Sequence, residues 1–104
     1  VKIVCAVLFA SLSLGAFANE KVAVEEAERI YRESCAACHR DGVSGAPRPG
    51  VKTDWVDRMS YGIDGLYFSA IEGLIPQMPQ RGSCFECSDA QLAAVVDFMV
   101  RNLE

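Results

Sequence analysis

The sequence predicts an all-α domain, on three observations. Apolar side chains recur at helical spacing in a stretch near each end of the chain, Val24 to Cys38 and Leu92 to Leu103. Nowhere do apolar and polar residues alternate as a half-buried strand requires. The intervening strings at residues 40–50 and 73–84 are rich in Gly and Pro, which makes them loops rather than central strands.

The chain opens VKIVCAVLFASLSLGAFANE, with Lys2 ahead of an uncharged run from Ile3 to Asn19 that closes in Ala16-Phe17-Ala18. A short apolar stretch with a small-x-small ending reads as a secretory signal peptide over residues 1–18, cleaved after Ala18 and taking Cys5 with it. A spanning helix needs about 20 apolar residues; this run is shorter and dotted with Ser and Gly. Residues 19–104 then form one domain, with no second apolar segment long enough for a bilayer.

A first helix is expected from Lys21 to about Cys38. Val24, Ala27, Ile30, Tyr31, Ser34, Cys35 and Cys38 share one face, and Glu25, Glu26, Glu28 and Arg29 face water. RDGVSGAPRPG, residues 40–50, is loop. A short helix follows over Asp54–Ser60, capped by Thr53 or Asp54, and another runs from an Asp64 N-cap to a stop at Gly73. In GLIPQMPQRGSC, Pro76 and Pro79 bracket Met78 and exclude a helix. Ser88-Asp89-Ala90-Gln91 is a capping box for the last helix, whose apolar stripe is Leu92, Val95, Val96, Met99 and Leu103. Tyr31, Leu92 and Phe98 are expected in the core.

The chain carries a formal net charge of −4, and signal cleavage would take it to −5. Such a surface disfavours nucleic acid and anionic lipid and leaves basic protein patches as partners. A processed domain of 86 residues has only a marginal core of its own, so something must supplement it. Four cysteines stay after processing, Cys35, Cys38, Cys84 and Cys87. In an oxidising compartment all four are expected to be consumed.

Cys35, Cys38 and His39, the chain's one histidine, fall within CAACH. A structural zinc site would draw its other two ligands from Cys84 and Cys87, across an unusually long gap. A redox dithiol wants its motif at a helix start after a strand, whereas this one closes a helix. Covalent haem attachment fits better. Both sulfurs form thioethers, the adjacent imidazole reaches the iron, and the porphyrin supplies the missing apolar filling. With one His, bis-histidine ligation within the chain is excluded, so a Met is sought. Met99 lies on a helical stripe and Met59 in a short helix, where packing is the ordinary role. Met78, stiffened by flanking prolines in an extended loop, is the candidate axial ligand.

YRESCAACH, GAPRPG, DWVDRMSYGIDGLYFSAIEG, MPQRGSCFECSD and AVVDFM together resemble class I cytochromes c of the bacterial cytochrome c5 group. The resemblance covers essentially all of residues 19–104. It implies a small class I cytochrome c fold, three to five helices around one haem, the first and last crossing beside it. It implies thioethers at Cys35 and Cys38, iron ligands His39 and Met78, and a disulfide between Cys84 and Cys87. It also implies that the Pro47 carbonyl accepts the His39 ring N–H, and that Trp55 lies near a propionate. An acceptor behind the imidazole would fix its tautomer and strengthen the ligand. GLIPQM departs from the group, which more often has small or polar residues before its Met. The Cys84–Cys87 pair reads as a staple on the Met78 loop rather than an exchangeable dithiol, because Ser88 caps the helix and no dipole activates Cys84. Arg48, Lys52 and Arg58 are candidates to neutralise haem propionates, with solvated charge the default reading for any one of them.

The expected function is a periplasmic, soluble electron carrier, not an enzyme, exchanging single electrons by transient contact with redox partners. By resemblance these are a membrane donor complex and a terminal oxidase or other periplasmic reductase. Six-coordinate iron leaves no site for substrate, and sulfur ligation raises the potential. The alternative is a haem sensor or gas-binding module in which Met78 is displaced.

Overall fold

The acidic first turn and the buried Ala27 and Ile30 define the first helix, α1 (Val24–Ile30), whose carboxylates Glu25 and Glu26 suit the positive end of its dipole. On its wet side Arg32 pairs with Glu28 at 3.1 Å and Arg29 with Glu33 at 2.9 Å, both one turn apart. The structure, a computed structural model, describes residues 21–103 with Ala6 and Ala10. The rest of the expected signal peptide at 1–18 lies outside the described residues.

The rod does not continue as a plain α-helix. Tyr31–Cys35 is one wide turn in which the Ala36 N–H reaches back five residues to the Tyr31 carbonyl, and α2 (Ala36–His39) follows. The extra residue rotates everything after it by about 100° relative to an unbroken helix. Tyr31 and Cys35 both reach the core cluster, but to different depths. Tyr31 is buried against Phe98, ring centroids 5.3 Å apart, while Cys35 is half-buried. Val24, counted on the apolar face, is 48 % exposed at the rod's end.

The expected helix at Asp54–Ser60 is instead a single turn, α3 (Lys52–Trp55), followed by a tight turn at Arg58–Tyr61. Asp54 does not cap it, because its carboxylate is taken by the Arg48 backbone N–H and guanidinium. α4 (Gly62–Glu72) starts two residues before the expected Asp64 cap and stops at Gly73, whose φ of +80° continues no helix. α5 (Asp89–Val100) begins with the full capping box. Ser88 Oγ accepts the Gln91 N–H at 3.1 Å, and Gln91 Oε1 accepts the Ser88 N–H at 2.8 Å.

α5 is the centre of the fold. It packs against α1 on one side and α4 on the other, burying Leu92, Val95, Val96 and Met99. It also fixes the long loop, since the Gly50 N–H donates to the Met99 carbonyl at 2.9 Å. Among the described residues there is no strand, only an isolated bridge between Leu74 and Met78, and no helix is long and apolar enough to cross a membrane.

Candidate haem-attachment site

The CAACH residues occupy the end of the wide turn and the single turn of α2. Cys35 and Cys38 are free thiols, Cys35 half-buried and Cys38 exposed. Burial pushes the Cys35 thiol up to about 11. That is the opposite of the depressed value an attacking dithiol needs, so the redox-dithiol reading loses its first cysteine. Cys84 and Cys87 are joined by a disulfide, and both are buried. Two of the four sulfurs a zinc clip would use are thereby occupied, and no group of three or more potential metal ligands gathers among the described residues.

His39 is buried, and its Nδ1 lies 2.8 Å from the Pro47 carbonyl oxygen. A carbonyl can only accept, so Nδ1 carries the proton and Nε2 keeps the lone pair. The loop that presents this carbonyl is held from behind. The Trp55 indole N–H donates to the Arg48 carbonyl at 2.8 Å. The Arg48 guanidinium forks onto Asp54 at 2.7 and 3.1 Å, and Arg58 donates to the carbonyls of Gly45, at 3.2 Å, and Asp54, at 2.6 Å. Arg48 is thus paired, not simply solvated. Its hydrogen bonds hold the Asp54 carboxyl down at about 2 against a smaller opposing effect of burial. Trp55, expected beside a propionate, is 4 % exposed under this loop with its N–H committed to Arg48.

Met78 is half-buried in a loop that closes on itself. The Leu74 N–H donates to the Met78 carbonyl at 2.9 Å, and the Met78 N–H to the Leu74 carbonyl at 2.8 Å. The turn after it, Gln80–Ser83, packs against the wide turn of the first rod, and a Cβ placed on Gly82 would sit 3.8 Å from Cys35 Sγ. The loop bearing Met78 is therefore brought beside the CAACH turn. Of the other methionines, Met99 is buried in the core, while Met59, expected to pack, is 39 % exposed on the Arg58–Tyr61 turn.

The residues present fit a haem. Two free thiols and an imidazole with an available Nε2 share little more than one helical turn. Large apolar side chains close in sequence to the ligand candidates, Val43 at 50 % after His39 and Leu74 at 53 % and Ile75 at 92 % exposure before Met78, are left uncovered, which is surface suited to an apolar macrocycle.

A family model described as cytochrome c oxidase, cbb3-type, subunit III matches residues 22–99. Cytochrome c5 of Ectopseudomonas mendocina is 40 % identical over 75 residues, 70 % of this chain and 85 % of the relative. The chain belongs to the class I c-type cytochromes. Solved structures agree. A mono-haem ferrocytochrome c from Shewanella putrefaciens superposes with a TM-score of 0.63 at 41 % identity, covering 70 % of this chain and 89 % of that one. A cytochrome c in an electron-transfer complex with nitrite reductase gives a TM-score of 0.69 at 33 % identity, covering 76 % and 95 %. As a c-type cytochrome the chain has covalently bound haem c, with iron, as its cofactor and electron carriage as its role.

Sequence reasoning missed the support behind this cytochrome's Pro47 loop. An Asp six residues after an Arg is no recognised signal, although the Pro-Arg-Pro string beside it marks a stiff loop with one charged side chain to place.

Proposed function

We propose that this cytochrome shuttles single electrons in the periplasm, with thioethers at Cys35 and Cys38 and with His39 Nε2 and Met78 Sδ as the axial iron ligands. The observation that carries this reading is the 2.8 Å contact between His39 Nδ1 and the Pro47 carbonyl within the CAACH turn. Bound haem c supplies a one-electron couple and no bond-making chemistry. The protein's part is to hold and tune. Pro47 fixes the imidazole tautomer and raises its donor strength. Trp55, Arg48, Asp54 and Arg58 hold the carbonyl that does so. The Met78 thioether, a soft donor, favours the reduced state and raises the potential. The Cys84–Cys87 disulfide serves as a staple beneath the Met78 loop.

Periplasmic location is supported by the signal-like residues 1–18 and by a disulfide of the kind that oxidising compartments maintain. The partners are redox proteins met transiently, a membrane donor complex and a terminal oxidase or a reductase, such as the nitrite reductase seen with the related cytochrome. Gly73 to Gln80 carries no charged residue, so contact through this loop would rest on apolar area and depend weakly on salt.

The test is spectroscopic. Oxidised wild type should show the weak band near the red edge that reports sulfur–iron bonding, and Met78→Ala should lose it while Met59→Leu keeps it. Ready carbon monoxide binding by unaltered reduced protein would instead favour the gas-binding alternative. Intact mass of protein matured in its native host should equal residues 19–104 plus one haem.

A further inference from the structure

Arg81, Gly82 and Ser83, the three residues after the Met78-Pro79-Gln80 segment, have φ of +59°, +55° and +62°. Two of the three carry side chains, and a run of left-handed L-residues does not persist unless its surroundings hold it. The holder is the Arg81 side chain. Its Nη1 donates to Asp89 Oδ1 at 2.7 Å and its Nη2 to the Cys87 carbonyl at 2.6 Å. The Arg81 side chain is only 19 % exposed, whereas that of Asp89 is 71 % exposed. One guanidinium thus ties the left-handed turn to the first residue of α5 and to the end of the disulfide loop, the planar two-point grip that Lys cannot copy. The turn's other side rests on the first rod, at Gly82 against Cys35 Sγ.

Met78 lies between two fastenings. On its N-terminal side the Leu74 bridge ties it to the end of α4. On its C-terminal side Arg81 ties it to α5, which also carries the rod bearing Cys35, Cys38 and His39. We propose that Arg81 is a positioning residue for Met78, holding the thioether in place so that an external ligand does not displace it. This rests on Met78 being the axial ligand. A merely structural Arg81 would stabilise the start of α5 without affecting how firmly the sulfur is held.

The experiment uses purified holoprotein of wild type, Met78→Ala, Arg81→Ala and Arg81→Lys, with Arg29→Ala as a surface ion-pair control. Readouts are the red-edge band of the oxidised form and the rate of carbon monoxide binding to the reduced form, both well below the melting temperature. Loosening the sulfur raises the open population, so Arg81→Ala should bind carbon monoxide about ten-fold faster than wild type and show a weakened band. Arg81→Lys, able to reach Asp89 or the Cys87 carbonyl but not both, should fall between, and Arg29→Ala should match wild type. A rate within about two-fold of wild type and an unchanged band in Arg81→Ala would overturn the proposal. Should Arg81→Ala yield no holoprotein, Arg81→Lys decides by the same criterion. A band lost in Met78→Ala but untouched in the Arg81 variants refutes the role of Arg81 alone. A wild type without the band, or a Met78→Ala that keeps it, refutes Met78 ligation and this proposal with it.

Discussion

Replacing Gly73 by alanine tests how tightly the Met78 loop is folded back on α4. Gly73 has φ +80°, and a Cβ there would stand 2.7 Å from the Gln80 nitrogen, 2.9 Å from the Met78 carbonyl oxygen and 3.0 Å from Gln80 Cα. All three are backbone atoms, so no side chain can swing aside. Bringing the nearest contact to an ordinary 3.4 Å means moving the segment by about 0.7 Å, away from the helix end that anchors it. The left-handed conformation itself costs an L-residue roughly 1–2 kcal/mol. Forced overpacking adds roughly 1–3 kcal/mol. Gly45 and Gly50 supply the control, having φ of +82° and +73° but nothing within 4 Å of a built Cβ. Alanine there should cost only the first of these amounts. Taking the middle of each range, about 1.5 and 3.5 kcal/mol, thermal unfolding of the holoproteins, followed by far-UV circular dichroism, should place Gly50→Ala about 6–12 °C below wild type and Gly73→Ala about 14–28 °C below. Gly73→Ala should also weaken the red-edge band, because Met78 is the residue displaced. Equal melting temperatures for the two variants, with the band intact in both, would refute the steric argument.

Three further outcomes are expected. Asp54 titrates at about 2 in the fold, below its ordinary 3.8, so its contribution is full above the higher value and fades as pH falls toward the lower. The melting-temperature gap between wild type and Asp54→Ala should therefore be present at neutral pH and close as pH falls through that window. Replacing Cys84 and Cys87 together by Ser should cost about 2 kcal/mol, the closure entropy of so short a loop, while haem content measured by pyridine haemochrome is unchanged. Burial, aided by the Asp97 hydrogen bond, raises the Tyr67 phenol to about 12, above its ordinary 10. Its stabilising effect is complete below the lower value and lost as pH rises through the upper, so Tyr67→Phe should flatten stability over that alkaline range. Denaturant titration at each pH measures this.

Local signals in the sequence were strong wherever one residue type satisfies one backbone need. Ser88 and Gln91 meet the orphan donors of α5, and Gly73 turns the chain where α4 must stop. The all-helical class and the family were legible for the same reason, the first from apolar spacing and the second from CAACH with MPQRGSCFECSD. The misreadings have physical causes. Asp54 has the composition of a cap but a stronger partner in Arg48, so its carboxylate faces the preceding loop. The wide turn at Tyr31–Cys35 leaves no trace in the apolar pattern, because residues four apart look helical whether the turn closes on four or five. Arg81 and Ser83 lie in the left-handed region without being Gly or Asn, and the ties of the Arg81 side chain to Asp89 and Cys87 hold that turn. The contact of His39 with Pro47 depends on a loop path that the resemblance implied and residue spacing alone could not specify.

The first helix of this chain has the last one as its neighbour, and that arrangement orders events during synthesis. CAACH leaves the ribosome about 50 residues before Asp89 does. Until then the apolar side of Val24–His39 has nothing to lie on, and a segment that short barely holds helix by itself in water. On the proposed attachment, Cys35, Cys38 and His39 lie within five consecutive residues, so joining porphyrin to those sulfurs needs no docked α5. A substitution elsewhere that loosens the mature fold should therefore still leave the pigment on the chain.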